Sequence, residues 1–119
     1  VKTYYGRRDK NGKCFVRVSD DGGKNNLLRL RLDLSNHSPT GYEWGYDGSG
    51  PAQLALAILA DVLKVKSGRT RGVVDRARQA ALRMRGDFQR KVIAHLPRNE
   101  PWKITEQQVL DFIKTGAVG

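Results

Sequence analysis

Between Asp33 and Ser38 the chain sets an acid, two hydroxyls and an imidazole close together: Asp33, Ser35, His37 and Ser38, with Asn36 among them. These are the residue types of a nucleophile, its base and an orienting acid, and His37 titrates in the range suited to proton transfer. A catalytic triad is a placement in space, which this spacing does not establish. Asn, Ser and Pro directly after a strand also describe an ordinary Asx or Ser/Thr turn. A small hydrolase or transferase centred on His37 is therefore the second alternative to a binding role.

Downstream, Tyr42, Trp44 and Tyr46 alternate, so an extended segment would show all three on one face and Glu43 on the other. Such a face can stack nucleobases beside cations. It can equally plug a sheet–helix core with Trp44 while the tyrosines cover the rim. The stretch closes on Gly48-Ser49-Gly50-Pro51, a Gly-rich entry into an apolar run. Free N–H groups and the positive end of a helix dipole suit a phosphate or carboxylate there. Pro51 removes one donor, and the pattern is neither a Walker A loop nor a dinucleotide fingerprint; a plain turn and cap accounts for it as well. Asn36, His37, Tyr42, Trp44, Tyr46, Ser49 and Gly50 form the expected ligand-binding set.

The second source of chemistry is charge. The chain carries a net +10, which biases a protein toward nucleic acid, phosphorylated ligands or acidic protein surfaces. From Lys64 to Arg98, eleven Lys and Arg stand against only Asp75 and Asp87. Arg76, Arg83 and Arg90 make one helical row and Arg78 and Arg85 another, flanking an apolar stripe. With Arg69, Arg71 and the strand residues Arg29 and Arg31 they are the expected polyanion-binding set. Arginines beside an apolar stripe also lay their stems on it and keep their heads in water. No helix-turn-helix, RNA-recognition motif or zinc module can be named.

No cofactor or metal is expected: Cys14 is the single cysteine, and His37 and His95 lie far apart. Cys14 is expected as a buried small hydrophobe and His95 as a satisfied core histidine. No apolar run is long enough for a membrane span, and a cytoplasmic, reducing setting is expected.

The elements that must position these residues make one α+β domain over residues 1–119. Residues 1–34 read as a three-stranded antiparallel meander. Asn11-Gly12 marks a type I′ hairpin, Cys14 to Ser19 alternates, and Leu28, Leu30, Leu32 and Leu34 alternate with Arg29, Arg31 and Asp33 as a third strand. Residues 35–50 form the functional loop, 51–66 the central helix, 73–96 a basic amphipathic helix and 105–115 the last helix. A short fourth strand near Trp102 is possible. Thr105 and Gln108 match a capping box, and Gly116 a helix stop.

Tyr5-Gly6-Arg7-Arg8-Asp9, the run Leu32 to Tyr46 and Gly48 to Leu54 together resemble a small family of unknown function met on phages, plasmids and integrative elements. The likeness extends to Leu96-Pro97 and to Trp102-Ile104-Thr105, and departs at Lys64 to Arg78, which is longer and more basic. The resemblance implies a compact α+β domain in a bacterial cell or phage-infected host. It carries no activity and no residue role. By analogy with small proteins of such settings, an inhibitor of host defence using its basic helix on an acidic protein partner is the first alternative. The leading expectation is a non-enzymatic binding module for a polyanion, either nucleic acid or a phosphorylated nucleotide.

Overall fold

The computed structural model describes residues 1–21, 23–68 and 75–116. They contain strands β1 (Thr3–Arg8), β2 (Cys14–Ser19) and β3 (Asn25–Leu27), then helices α1 (Ser49–Val62) and α2 (Arg76–Lys91). A 3-10 turn at Ile93–His95, strand β4 (Trp102–Thr105) and helix α3 (Glu106–Thr115) complete the order. The strands make one antiparallel sheet, β3-β2-β1-β4, with the fourth strand at Trp102. The fold class is α+β.

Both hairpins use the same pattern, Asp-x-x-Gly-Lys. Gly12 N–H donates to Asp9 O at 3.0 Å, and Asp9 Oδ1 accepts from the N–H groups of Asn11 and Lys13 at 2.8 and 2.9 Å. In the second, Gly23 N–H donates to Asp20 O at 3.1 Å and Lys24 N–H donates to Asp20 Oδ1 at 3.1 Å. Gly12 (φ 83°) and Gly23 (φ 81°) occupy the left-handed region that spares only glycine its steric penalty. Asn11 is not at positive φ, so the first turn is not the expected type I′ form. The Asp9 carboxylate captures the Asn11 N–H and holds that residue in an Asx turn.

The alternating leucines do not form the expected third strand. β3 ends at Leu27, and one further bond, Leu28 N–H to Val16 O at 2.9 Å, closes the pairing. Arg31 then takes φ 60°, and Leu34 N–H donates to Arg31 O at 3.1 Å in a tight turn. The carbonyls a strand would offer to a neighbour are claimed by side chains instead: Tyr42 OH donates to Leu28 O at 3.1 Å, and Gln53 Nε2 to Leu30 O at 2.6 Å. Leu28 and Leu34 are buried, whereas Leu32 is exposed.

Helix α1 is buried on every side from Gly50 to Ala60, as a central helix must be. It packs against both α2 and α3. Trp44 is fully buried and meets Trp102 edge to face, with ring centroids 5.2 Å apart. Phe88 of α2 meets Phe112 of α3 at 5.0 Å in the same manner. No helix among the described residues is long and apolar enough to cross a membrane.

Helix ends follow local chemistry. Asp75 caps α2 by accepting from Arg78 N–H at 2.9 Å; the expected start near Val73 lies outside the described residues. The Thr105–Gln108 capping box forms in both directions, and Gly116 (φ 74°) ends α3. Two expectations are corrected. His95 is exposed, because α2 stops at Lys91 and the 3-10 turn rotates the chain off the buried stripe. Cys14 is half-buried: it lies near the sheet rim, where Arg8 Nη1 donates to its Sγ at 2.7 Å, and burial helps push its thiol up to about 11.

Helix α1 ends in a Schellman motif, with Val65 N–H bonded to Ala60 O at 2.9 Å and Lys64 N–H to Asp61 O at 3.2 Å. The left-handed position that glycine normally fills is Lys64, at φ 57°. Lys64→Gly should therefore stabilise the fold by about 0.5–1 kcal/mol, after glycine's larger entropy loss on folding is set against the relieved strain. An unchanged or lowered urea midpoint would contradict this account of the helix end.

Candidate functional site

The 35–50 loop is held at three places. At its start, the fully buried Gln53 carboxamide accepts from the N–H groups of His37 and Ser38 at 2.7 and 3.0 Å, and donates to Leu30 O and Ser35 O at 2.6 and 3.2 Å. In its middle, Arg8 grips Glu43 through both oxygens at 2.6 and 3.0 Å while its guanidinium lies 5.0 Å from the Trp44 ring centre. At its end, Gln89 of α2 donates to Asp47 Oδ1 at 2.5 Å and Gly48 O at 3.0 Å, and accepts from Arg85.

This bracing decides what the expected ligand set can do. Trp44 is a core plug. Tyr42 is buried with its hydroxyl bonded, and burial raises its pKa. Gly50 is buried against Glu43; a Cβ there would lie 2.5 Å from Glu43 Cβ, so the helix entry is roofed by protein. Asn36 and Ser49 are exposed, and Tyr46 is 37 % exposed under the Arg98 guanidinium at 5.1 Å. His37 Nε2 lies 3.3 Å from Ser35 Oγ. Burial, and secondarily the charge of Arg85, lower the His37 pKa.

The arginines divide too. Arg31 Nη1 donates to Val65 O and Nη2 to Lys66 O, each at 2.9 Å, and its Nε pairs with Asp33 at 3.1 Å. That pairing, reinforced by Gly68 N–H, holds the Asp33 carboxyl below its ordinary value. Arg78 donates to Gly68 O at 2.9 Å and Asp33 O at 3.3 Å. Arg90 pairs with Asp87 at 2.6 Å. Arg76 and Arg83 are exposed on α2, and Arg69 and Arg71 lie outside the described residues.

A groove opens elsewhere, at the C-terminal end of α1. It encloses about 430 Å³ between the β2–β3 hairpin and the α1 end, and Arg29 and Arg31 are the members of the expected sets that it gathers. Lys24 and Lys64 join them, with an apolar floor of Val18, Leu28, Ala57 and Ala60. Lys2 also lines it, paired with Asp61 at 3.2 Å; Tyr4 OH donates to the same carboxylate at 2.6 Å. Lys24, Arg29 and Lys64 are exposed, and Arg29 reaches Ser67 Oγ at 3.2 Å. The groove and the Ser49–Gly50 entry thus sit at opposite ends of α1, roughly 20 Å apart at the helical rise. Lys24 and Lys64 were missed from sequence. The signals were present: Lys24 closes the second hairpin pattern, and Lys64 ends the apolar helix run.

The chain belongs to a family of unknown function, DUF6166, which it matches over residues 4–115. No curated protein and no solved structure matches it.

Two outcomes follow from the bracing. Gln53→Leu strands four backbone groups and should destabilise the fold by about 3 kcal/mol in urea titration; a loss below about 1 kcal/mol would show that the loop stands without it. The second concerns pH. The unfolded chain takes a proton at His37 near its ordinary value of 6.5 and the folded chain only lower, so His37 leaves stability untouched above that value and reduces it as pH falls below. Glu43, held below its ordinary 4.5 chiefly by Arg8, adds a later loss at more acidic pH. His37→Asn should flatten the first part of the decline and preserve the second.

Proposed function

We propose that the protein is a non-enzymatic binding module whose groove takes a phosphorylated nucleotide. One observation carries the reading. Among the described residues, the non-glycine positions at positive φ are Arg31 (φ 60°) and Lys64 (φ 57°); both are cations and both line this groove. Such backbone costs of order 1–3 kcal/mol and gathers where a site needs the side chain. Glycine would relieve the strain at Lys64 and forfeit a cation.

Size and chemistry agree. A cavity of about 430 Å³ falls within the range of small-molecule sites. Its apolar floor suits a base or sugar, and Lys24, Arg29 and Lys64 stand where phosphates would meet them. Arg31 acts differently: by bonding the Val65 and Lys66 carbonyls it holds the wall in place.

A second reading rests on α2, where Arg76 and Arg83 are exposed in one row and Leu82, on the flank of that row, is 40 % exposed. That face fits an acidic protein partner, as an inhibitor would require. One set of measurements separates the two. Nucleoside mono-, di- and triphosphates should raise the melting temperature in increasing order. Arg29→Glu with Lys64→Glu should abolish the shift, and Arg76→Glu with Arg83→Glu should spare it. No shift with any nucleotide, together with no heat of binding, would overturn the groove reading.

A further inference from the structure

The other face of the sheet presents a different chemistry. Tyr4, Val16 and Ile104 turn into the core, so their strand neighbours Tyr5, Arg17 and Lys103 turn outward. The register sets Tyr5 across from Arg17 on one side and Lys103 on the other, and sets Phe15 across from Arg7. Each outward ring therefore has a cation as its direct cross-strand neighbour. Arg7 and Lys13 lie 5.7 and 5.5 Å from the Phe15 ring centre. Tyr5 is 44 % exposed, and Arg7 and Lys103 are exposed. The four strands contain no Asp or Glu. A shallow cavity of about 210 Å³ lies along Tyr5, Arg7, Phe15, Arg17 and Pro101.

Rings alternating with cations, free of carboxylates, match one class of partner. A single strand offers unpaired bases to stack and a phosphate for each, and base–aromatic stacking tolerates any sequence. A duplex buries its base faces and would leave the rings unused. An acidic protein would use the cations but gain nothing specific from Tyr5. Adjacent strands stand about 4.8 Å apart, so the face has room for roughly two or three stacked bases.

We propose that the open sheet face binds single-stranded nucleic acid, with Tyr5 and Phe15 stacking bases and Arg7, Arg17 and Lys103 meeting phosphates. This site shares no residue with the groove, so either can fail alone.

The test titrates the intact chain into fluorescently labelled oligouridylate and oligothymidylate across a salt series, with a hairpin duplex and polyglutamate as competitors. Both single strands should bind with affinity that falls steeply with salt. A preference for oligouridylate would assign the contact to RNA, and equal binding would assign it to single strands of either kind. Tyr5→Ala should weaken binding about tenfold or more, Tyr5→Phe should restore it, and Arg17→Glu should weaken it and lower the salt slope. Tyr5 is an exposed position, and melting curves of each variant verify that the fold is kept. The proposal is overturned if neither strand binds at low salt, or if folded Tyr5→Ala binds as the parent does. It is equally overturned if only Arg29→Glu and Lys64→Glu abolish binding, or if polyglutamate competes as well as an oligonucleotide.

Discussion

A single carboxamide organises this fold. Gln53 is the polar side chain among the buried residues of α1, and its oxygen and nitrogen each satisfy two backbone groups of the incoming chain. A buried amide without partners would be costly, so the residue specifies how the 30–38 segment lies on α1. By claiming Leu30 O it also withdraws that carbonyl from any strand pairing. The short β3, the turn at Arg31 and the passage of the loop over the helix entry are parts of one arrangement.

The same turn builds the groove. With Arg31 at positive φ, its guanidinium reaches the carbonyls that follow α1, where a cation also meets the negative end of the helix dipole. Asp33 holds the guanidinium from the other side, and Arg78 of α2 ties Gly68 and Asp33 together. The groove wall is thus a hydrogen-bonded lattice in which two arginines, Arg31 and Arg78, are structural. Exposed charge remains with Lys24, Arg29 and Lys64. A total charge of +10 does not reveal this division.

The sheet separates two environments by the alternation of its side chains. One face buries Tyr4, Val16 and Ile104 against α1 and α3; the other sets Tyr5 and Phe15 among arginines and lysines. Adding β4 beside β1 brings Lys103 next to Tyr5, across about a hundred residues of chain. The four strands carry no Asp or Glu, so on this face the cations repel one another except where solvent or an anion screens them.

Much of the local structure was legible in the sequence. Turn positions, the Thr105–Gln108 box, the Gly116 stop and the burial of α1 depend on residues within a few positions of one another, and their chemistry acts at that range. The net charge was legible for the same reason, being a sum over side chains. The leucine alternation misled, because a period of two describes which side chains could share a face and not whether a neighbouring strand exists to accept the carbonyls. Tertiary structure alone decided that Gln53 would take Leu30 O, that Trp44 would meet Trp102, and that Arg31 would close the end of α1. Each is a contact between groups far apart in sequence, and a side chain's role as ligand or brace is set by which of the available partners folding brings within hydrogen-bonding distance.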